Sequence, residues 1–110
     1  MDARYGLLAD QLLLVERELR VQGWWAITPP SAEALASVEP FCVDSMAFEQ
    51  WLQWIFLPRM KALLEAGAAL PAVSGIRPMA EMAFQQRLGQ AAGLLAVLGD
   101  FDQLIGGAAG

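Results

Sequence analysis

Apolar residues in the first part of the chain fall into a helical rhythm. Tyr5, Leu8, Leu12, Val15 and Leu19 recur at steps of three and four, the spacing that lines side chains along one stripe of an α-helix. The pattern predicts a helix over roughly Ala3 to Gln22, ended by Gly23. Leu7, Leu14 and Val21 form a second row about a third of a turn away, and a helix with two apolar rows usually meets more than one neighbour. Glu16 and Arg20 stand four apart in the favourable order, worth about 0.2–0.5 kcal/mol.

The rhythm breaks at Trp24 to Pro30, because Thr28-Pro29-Pro30 is held extended by proline sterics. Ser31 suits the cap of a short helix from Ala32 to Ser37, which stops before Pro40. A second long helix is predicted from about Met46 to Ala66, capped by Asp44 or Ser45 and ended by Gly67. Pro58 lies inside it. A proline there removes one backbone hydrogen bond and clashes with the carbonyl four residues back, so the helix should be kinked or broken.

Gly67 to Gly75 reads as a loop, and Pro78 suits the first turn of a third helix reaching about Gln86. A fourth helix follows from roughly Arg87 to Ile105, with Leu94, Leu98, Phe101 and Ile105 as its stripe. Short connections between such elements predict an all-α fold, a compact antiparallel bundle of about four helices. One helical-bundle domain should span 1–105, and Gly106 to Gly110, with nothing to pack, should fray.

Composition supports helices over sheets. Ala and Leu supply 19 and 17 of the 110 residues, while Val, Ile and Thr together supply 11. The net charge of −5, with seven scattered cations, argues against direct binding to nucleic acid, whose affinity comes from clustered Lys and Arg on phosphates. The longest charge-free stretches, Val21 to Ala32 and Leu88 to Gly99, fall well short of the roughly 20 apolar residues of a membrane-spanning helix. The start Met-Asp-Ala-Arg-Tyr lacks the form of a signal peptide, and the lone Cys42 allows no internal disulfide. A soluble, cytoplasmic protein is expected.

Candidate chemistry is sparse. The chain has no His, the commonest acid–base group near neutral pH. Its twelve carboxylates never stand three or four apart, so no pair is preset on one helix face as an acid–base couple or metal clamp. No glycine-rich phosphate loop is present. These features argue against an autonomous enzyme and against a resident metal or cofactor. Cys42, between Phe41 and Val43, reads as a small buried hydrophobe. Met46, Met60, Met79 and Met82 read as core filler, or else as lining of an adaptable surface.

The tryptophans and one arginine carry more. At about 100° per residue, Phe48, Trp51, Leu52, Ile55, Ala62, Leu63 and Ala66 share a face, which makes Trp51 a core residue. Trp54 points the other way with Gln50, Leu57 and Lys61, toward the Trp24-Trp25 segment, a groove or a partner. Arg59 falls near the centre of the apolar face. A guanidinium buried there must be paired, and Asp44 and Glu81 are the expected partners. The alternative is a small-ligand or anion-binding pocket around Trp54 and Arg59, lined by Trp and Met side chains.

Pro40-Phe41-x-x-Asp44-x-Met46, followed by Trp51-Leu52-Gln53-Trp54 and Pro58-Arg59-Met60, resembles the signature of the small bacterial YqcC-like proteins. Leu63-Leu64, Leu70-Pro71 and the Pro78 to Ala83 segment with Glu81 extend the likeness over nearly the whole chain. The resemblance implies a compact helical bundle of uncharacterised function, associated with tRNA pseudouridine synthase C. Such a synthase uses an Asp in a much larger, strand-rich catalytic domain, and neither those strands nor the motif around that Asp is legible here. The expectations are therefore a non-catalytic interaction module with a protein partner or a second copy of itself, or an accessory protein in tRNA modification acting through the synthase.

Overall fold

The computed structural model describes residues 3–106. The helices are α1 (Tyr5–Val21), α2 (Ala32–Leu35), α3 (Phe48–Trp51), α4 (Leu57–Glu65), α5 (Ile76–Ala83) and α6 (Leu88–Gly106). A 3-10 turn covers Pro40–Cys42, and a π-helical turn over Leu52–Phe56 joins α3 to α4 as one rod. No strand occurs among the described residues. The fold is an antiparallel bundle of α1, the α3–α4 rod, α5 and α6. Gly106 closes α6, and the remainder of the expected tail, 107–110, lies outside the described residues. No helix among the described residues is long and apolar enough to cross a membrane.

Local chemistry explains where the long helices stop. Gly23 has φ +76°, and the amides of Trp24 and Gly23 donate to the carbonyls of Leu19 and Arg20. Gly67 repeats the arrangement with φ +63°, Ala68 and Gly67 donating to Leu63 and Leu64. Both are helix ends of the Schellman type, in which a left-handed residue lets two orphan carbonyls find amides. Ser31 caps α2 as expected, its hydroxyl accepting from the Ala34 amide at 3.1 Å. The cap of α3 differs from expectation. Ala47 is the capping position, and the Gln50 side chain accepts from its amide at 2.9 Å. Asp44 and Ser45 lie upstream of that turn and are used elsewhere: Ser45 donates to the Ala34 carbonyl, and Asp44 accepts from the Ser37 hydroxyl.

Two caps come from across the bundle. Arg4, just before α1, donates to the carbonyls of Leu104 and Ile105 in the last turn of α6, at 2.7 and 2.8 Å. Asp102 of α6 accepts from the amides of Ile76 and Arg77, which open α5, and from the Ser74 hydroxyl. Replacing Asp102 by Ala removes this cap and should cost about 1–2 kcal/mol, read as a lower urea midpoint with an unchanged slope.

The core runs the length of the bundle. Leu8, Leu12, Val15 and Leu19 of α1 face Ala91, Leu94, Leu98, Phe101 and Ile105 of α6, all buried, so both expected stripes are packed except at Tyr5, which is half-buried. The second row of α1 is exposed, with Leu7, Leu14 and Val21 on the surface. At one end an aromatic chain continues the core: Trp24 stacks on Phe84 at 4.9 Å, Phe84 meets Phe48 edge-on, and Phe48 and Trp51 stack at 5.6 Å. Phe56 carries the series from Trp51 to Phe101.

Candidate functional site

The π turn organises the surface around it. Leu57 donates its amide to the carbonyl of Leu52, five residues back instead of four. A turn widened in this way gives the Pro58 ring room where a regular α turn would drive it against a carbonyl. The irregularity that Pro58 demands is thus met just before the proline, which sits in the first turn of α4. Two grooves open on different sides of this segment.

The first groove, about 630 Å³, lies between α1, the extended segment after Gly23 and the π turn. Trp25, Ile27, Gln53, Trp54, Pro58 and Lys61 line it, with Glu16 and Arg20. Gln53 is the one fully buried polar side chain among the described residues, 5% exposed. Its amide accepts from the Ala26 N–H at 2.8 Å and donates to the Ala26 carbonyl at 2.7 Å. It therefore pairs with the extended segment as a neighbouring strand would, and holds Trp25 beside Trp54. The Trp54 indole N–H is buried with no hydrogen-bond partner among the described residues. The cations of this groove are already engaged. Arg20 lies over the Trp25 ring at 4.5 Å and pairs with Glu16 at 3.0 Å, while Lys61 approaches the same carboxylate at 3.7 Å.

The second groove, about 350 Å³, is bounded by Leu35, Val38, Phe41, Trp51, Ile55 and Arg59, with Glu39 and Cys42 also lining it. Phe41 and Cys42 both adopt the left-handed region, with φ 57° and 50°. Side chains other than glycine rarely sit there, and each such residue costs on the order of 1–3 kcal/mol. Cys42 is buried, in accord with its sequence reading, and Trp51 packs against Phe41, Phe48 and Phe56.

Arg59 requires a correction. It is exposed, not buried at the centre of the apolar face, and it pairs with neither Asp44 nor Glu81. Glu81 lies 3.9 Å from Arg77 one turn earlier on α5, and no carboxylate among the described residues pairs with Arg59. The cause is helical phase. The π turn carries one extra residue, which rotates everything after it by about 100° relative to a continuous wheel. The packed face accordingly moves to Leu57 and Met60, leaving Arg59 outside. The single pocket around Trp54 and Arg59 is also divided, since the two residues line different grooves. Replacing Arg59 by Met should leave stability within about 0.5 kcal/mol of the parent, as for exposed substitutions away from packed features. A melting temperature lowered by several degrees would restore the buried-strut reading.

The paired tryptophans separate. Trp25 turns to the first groove, whereas Trp24 stacks on Phe84, and the Arg87 guanidinium lies over both rings, 4.6 Å from the Trp24 ring centre and 5.1 Å from that of Phe84. Arg87 in turn pairs with Glu49 at 3.2 Å, an interaction that spacing gives no means of finding. The methionines divide as well: Met60 is core, and Met46, Met79 and Met82 line a further apolar groove with Phe41, Val43 and Phe48. Among the described residues no group of His, Cys, Asp and Glu side chains is placed to hold a metal ion.

Comparison with known proteins follows the same outline. A family model described as tRNA pseudouridine synthase C (DUF446) matches residues 7–104. An uncharacterized protein of Haemophilus influenzae is 47% identical over 77 residues, 70% of each chain. A protein of Pectobacterium carotovorum named tRNA pseudouridine synthase C is 48% identical over 69 residues, which are 63% of this chain but 18% of that one. The uncharacterized protein YqcC of Escherichia coli is 36% identical over 94 residues, 86% of each chain. The solution NMR structure of YqcC from E. coli superposes with a TM-score of 0.83 at 33% identity, covering 94% of this chain and 89% of that one. Matched along almost its entire length in both sequence and helix arrangement, this chain belongs to the YqcC-like family, DUF446.

Proposed function

We propose that this protein is a non-catalytic helical interaction module that works with a tRNA pseudouridine synthase of the C type. The observation that carries the reading is the Pectobacterium protein of that name, in which a segment similar to this chain accounts for 18% of the length. When a unit that stands as a small separate protein in one organism recurs inside a longer chain in another, physical association of the two parts is the economical explanation. The chemistry agrees. A chain without histidine, with no carboxylates spaced as a helical pair and with a net charge of −5, is suited to contact with a protein and poorly suited to gripping RNA phosphates. The same reading puts the protein in the cytoplasm, beside the synthase and its tRNA.

The test is direct. The purified chain and the tRNA pseudouridine synthase C of the same organism should co-elute on size exclusion and bind measurably by calorimetry, and deletion of the gene should lower pseudouridine at the synthase's tRNA position. No complex at tens of micromolar, together with unchanged pseudouridine, retires the reading. A second reading rests on the exposed row Leu7, Leu14 and Val21 of α1, which suits a homodimer. Light scattering behind size exclusion should then return twice the chain mass of 11.9 kDa, and a strict monomer at high concentration removes it.

A further inference from the structure

We infer that the face centred on the Phe41 turn is the surface that holds the partner, and that it receives an apolar segment of the synthase bearing a carboxylate. The inference rests on the association proposed above and names the surface for it. Phe41 is shared by two grooves: the Arg59 groove on one side, and on the other the methionine groove of about 250 Å³. Around them stand large apolar side chains that the fold leaves in water, Val38 at 95% exposure, Met82 at 69% and Val43 at 59%. Apolar residues grouped in this way, rimmed by charge, are characteristic of interaction surfaces. Unbranched methionines adapt their shape to an incoming side chain. The backbone between the grooves is held in an uncommon conformation at two successive residues, a form of strain that concentrates at ligand-binding positions.

Charge selects the occupant. Arg59 lines the groove with its guanidinium unpaired by any carboxylate among the described residues, whereas the cations of the Trp54 groove already share Glu16. A guanidinium accepts a carboxylate through two parallel hydrogen bonds, and arginine flanked by aromatic and aliphatic walls is a frequent centre of binding energy. Glu39 lines the same groove, and Asp44 and Glu81 are exposed on the adjoining segments. One carboxylate is thus accommodated at Arg59, while a run of phosphates or an acidic tract is repelled. The partner segment is accordingly a protein helix or strand with apolar side chains for the methionine groove and a single acidic residue for Arg59, not RNA.

The experiment measures binding of the whole chain to the purified synthase by calorimetry, for the parent and for Arg59→Met, Met82→Asp and Leu13→Asp. Leu13 is exposed on α1, away from this face, and serves as the control. Both face variants should weaken binding at least tenfold while Leu13→Asp binds as the parent does. Raising the salt concentration should weaken the parent more than Arg59→Met. If the parent binds and both face variants bind within twofold of it, the surface assignment is wrong while the association stands. If salt acts equally on parent and Arg59→Met, the carboxylate is wrong. If the parent does not bind, the association and the surface fall together. Circular dichroism melting accompanies each variant, and Arg59→Met, at an exposed and unpaired position, decides the matter should Met82→Asp fail to fold.

Discussion

Replacing Phe84 by alanine should remove about 3–5 kcal/mol of stability, the cost of emptying a fully buried aromatic site. Phe84 is fully buried where the end of α5 meets the segment after α1, stacked face to face on Trp24 and edge-on to Phe48. The loss therefore goes beyond one cavity. Trp24 loses its stacking surface, and Arg87, which lies over both rings, loses one of them and keeps Trp24 and its pair with Glu49. Small domains are stable by about 5–15 kcal/mol in total. At about 4–8 °C per kcal/mol for a domain near this size, the melting temperature should fall by at least 12 °C. Thermal melting followed by circular dichroism checks this, and a drop below about 5 °C would mean the aromatic end is not part of the cooperative core.

The second large effect is expected at Gln53. Substitution by Leu keeps the volume and removes both hydrogen bonds to Ala26, leaving one amide and one carbonyl of the extended segment without partners. Each unsatisfied buried group costs about 1–3 kcal/mol, and since Ala26 is half-buried the lower end applies, about 2–3 kcal/mol together. The distinctive readout is local. Amide exchange at Ala26 should accelerate toward that of an unprotected residue, while Leu94 and Leu98 of α6 keep their protection. Unchanged exchange at Ala26 would show that Pro29-Pro30 and the tryptophans hold the extended segment without the glutamine.

Much of the fold was legible because its determinants are local. The stripes of α1 and α6, the glycine stops at Gly23 and Gly67 and the Ser31 cap all depend on residues within one or two turns of each other. The caps that pattern reading missed are long-range. Nothing near Ile76 in sequence announces that Asp102 satisfies its amide, and nothing near Gly106 points to Arg4. The surface is less legible than the core for a different reason. A wheel drawn at constant pitch from Met46 to Ala66 assumes unbroken phase, and a single π turn invalidates it for every residue downstream. Trp51, before the turn, packs against the core on the expected side but stays half-buried at the rim of the second groove; Arg59, after it, falls on the opposite side from the expected one. Pro58 was the available warning, since a proline inside a helix demands some local departure from α geometry.

Arg4 reaching the last carbonyls of α6 fixes where the two ends of the bundle lie. The beginning of α1 and the close of α6 are side by side, at the same pole as the start of α5. Trp24, Phe48 and Phe84 mark the other pole, and Phe41 packs on Phe48 there. A host polypeptide could therefore be joined at either end, or could receive the unit within one of its own loops, without a linker having to cross the body of the module. Both joints would fall away from the Phe41 turn. The geometry thus suits a unit that can stand free or be joined to another chain, with the Phe41 face left open in either case.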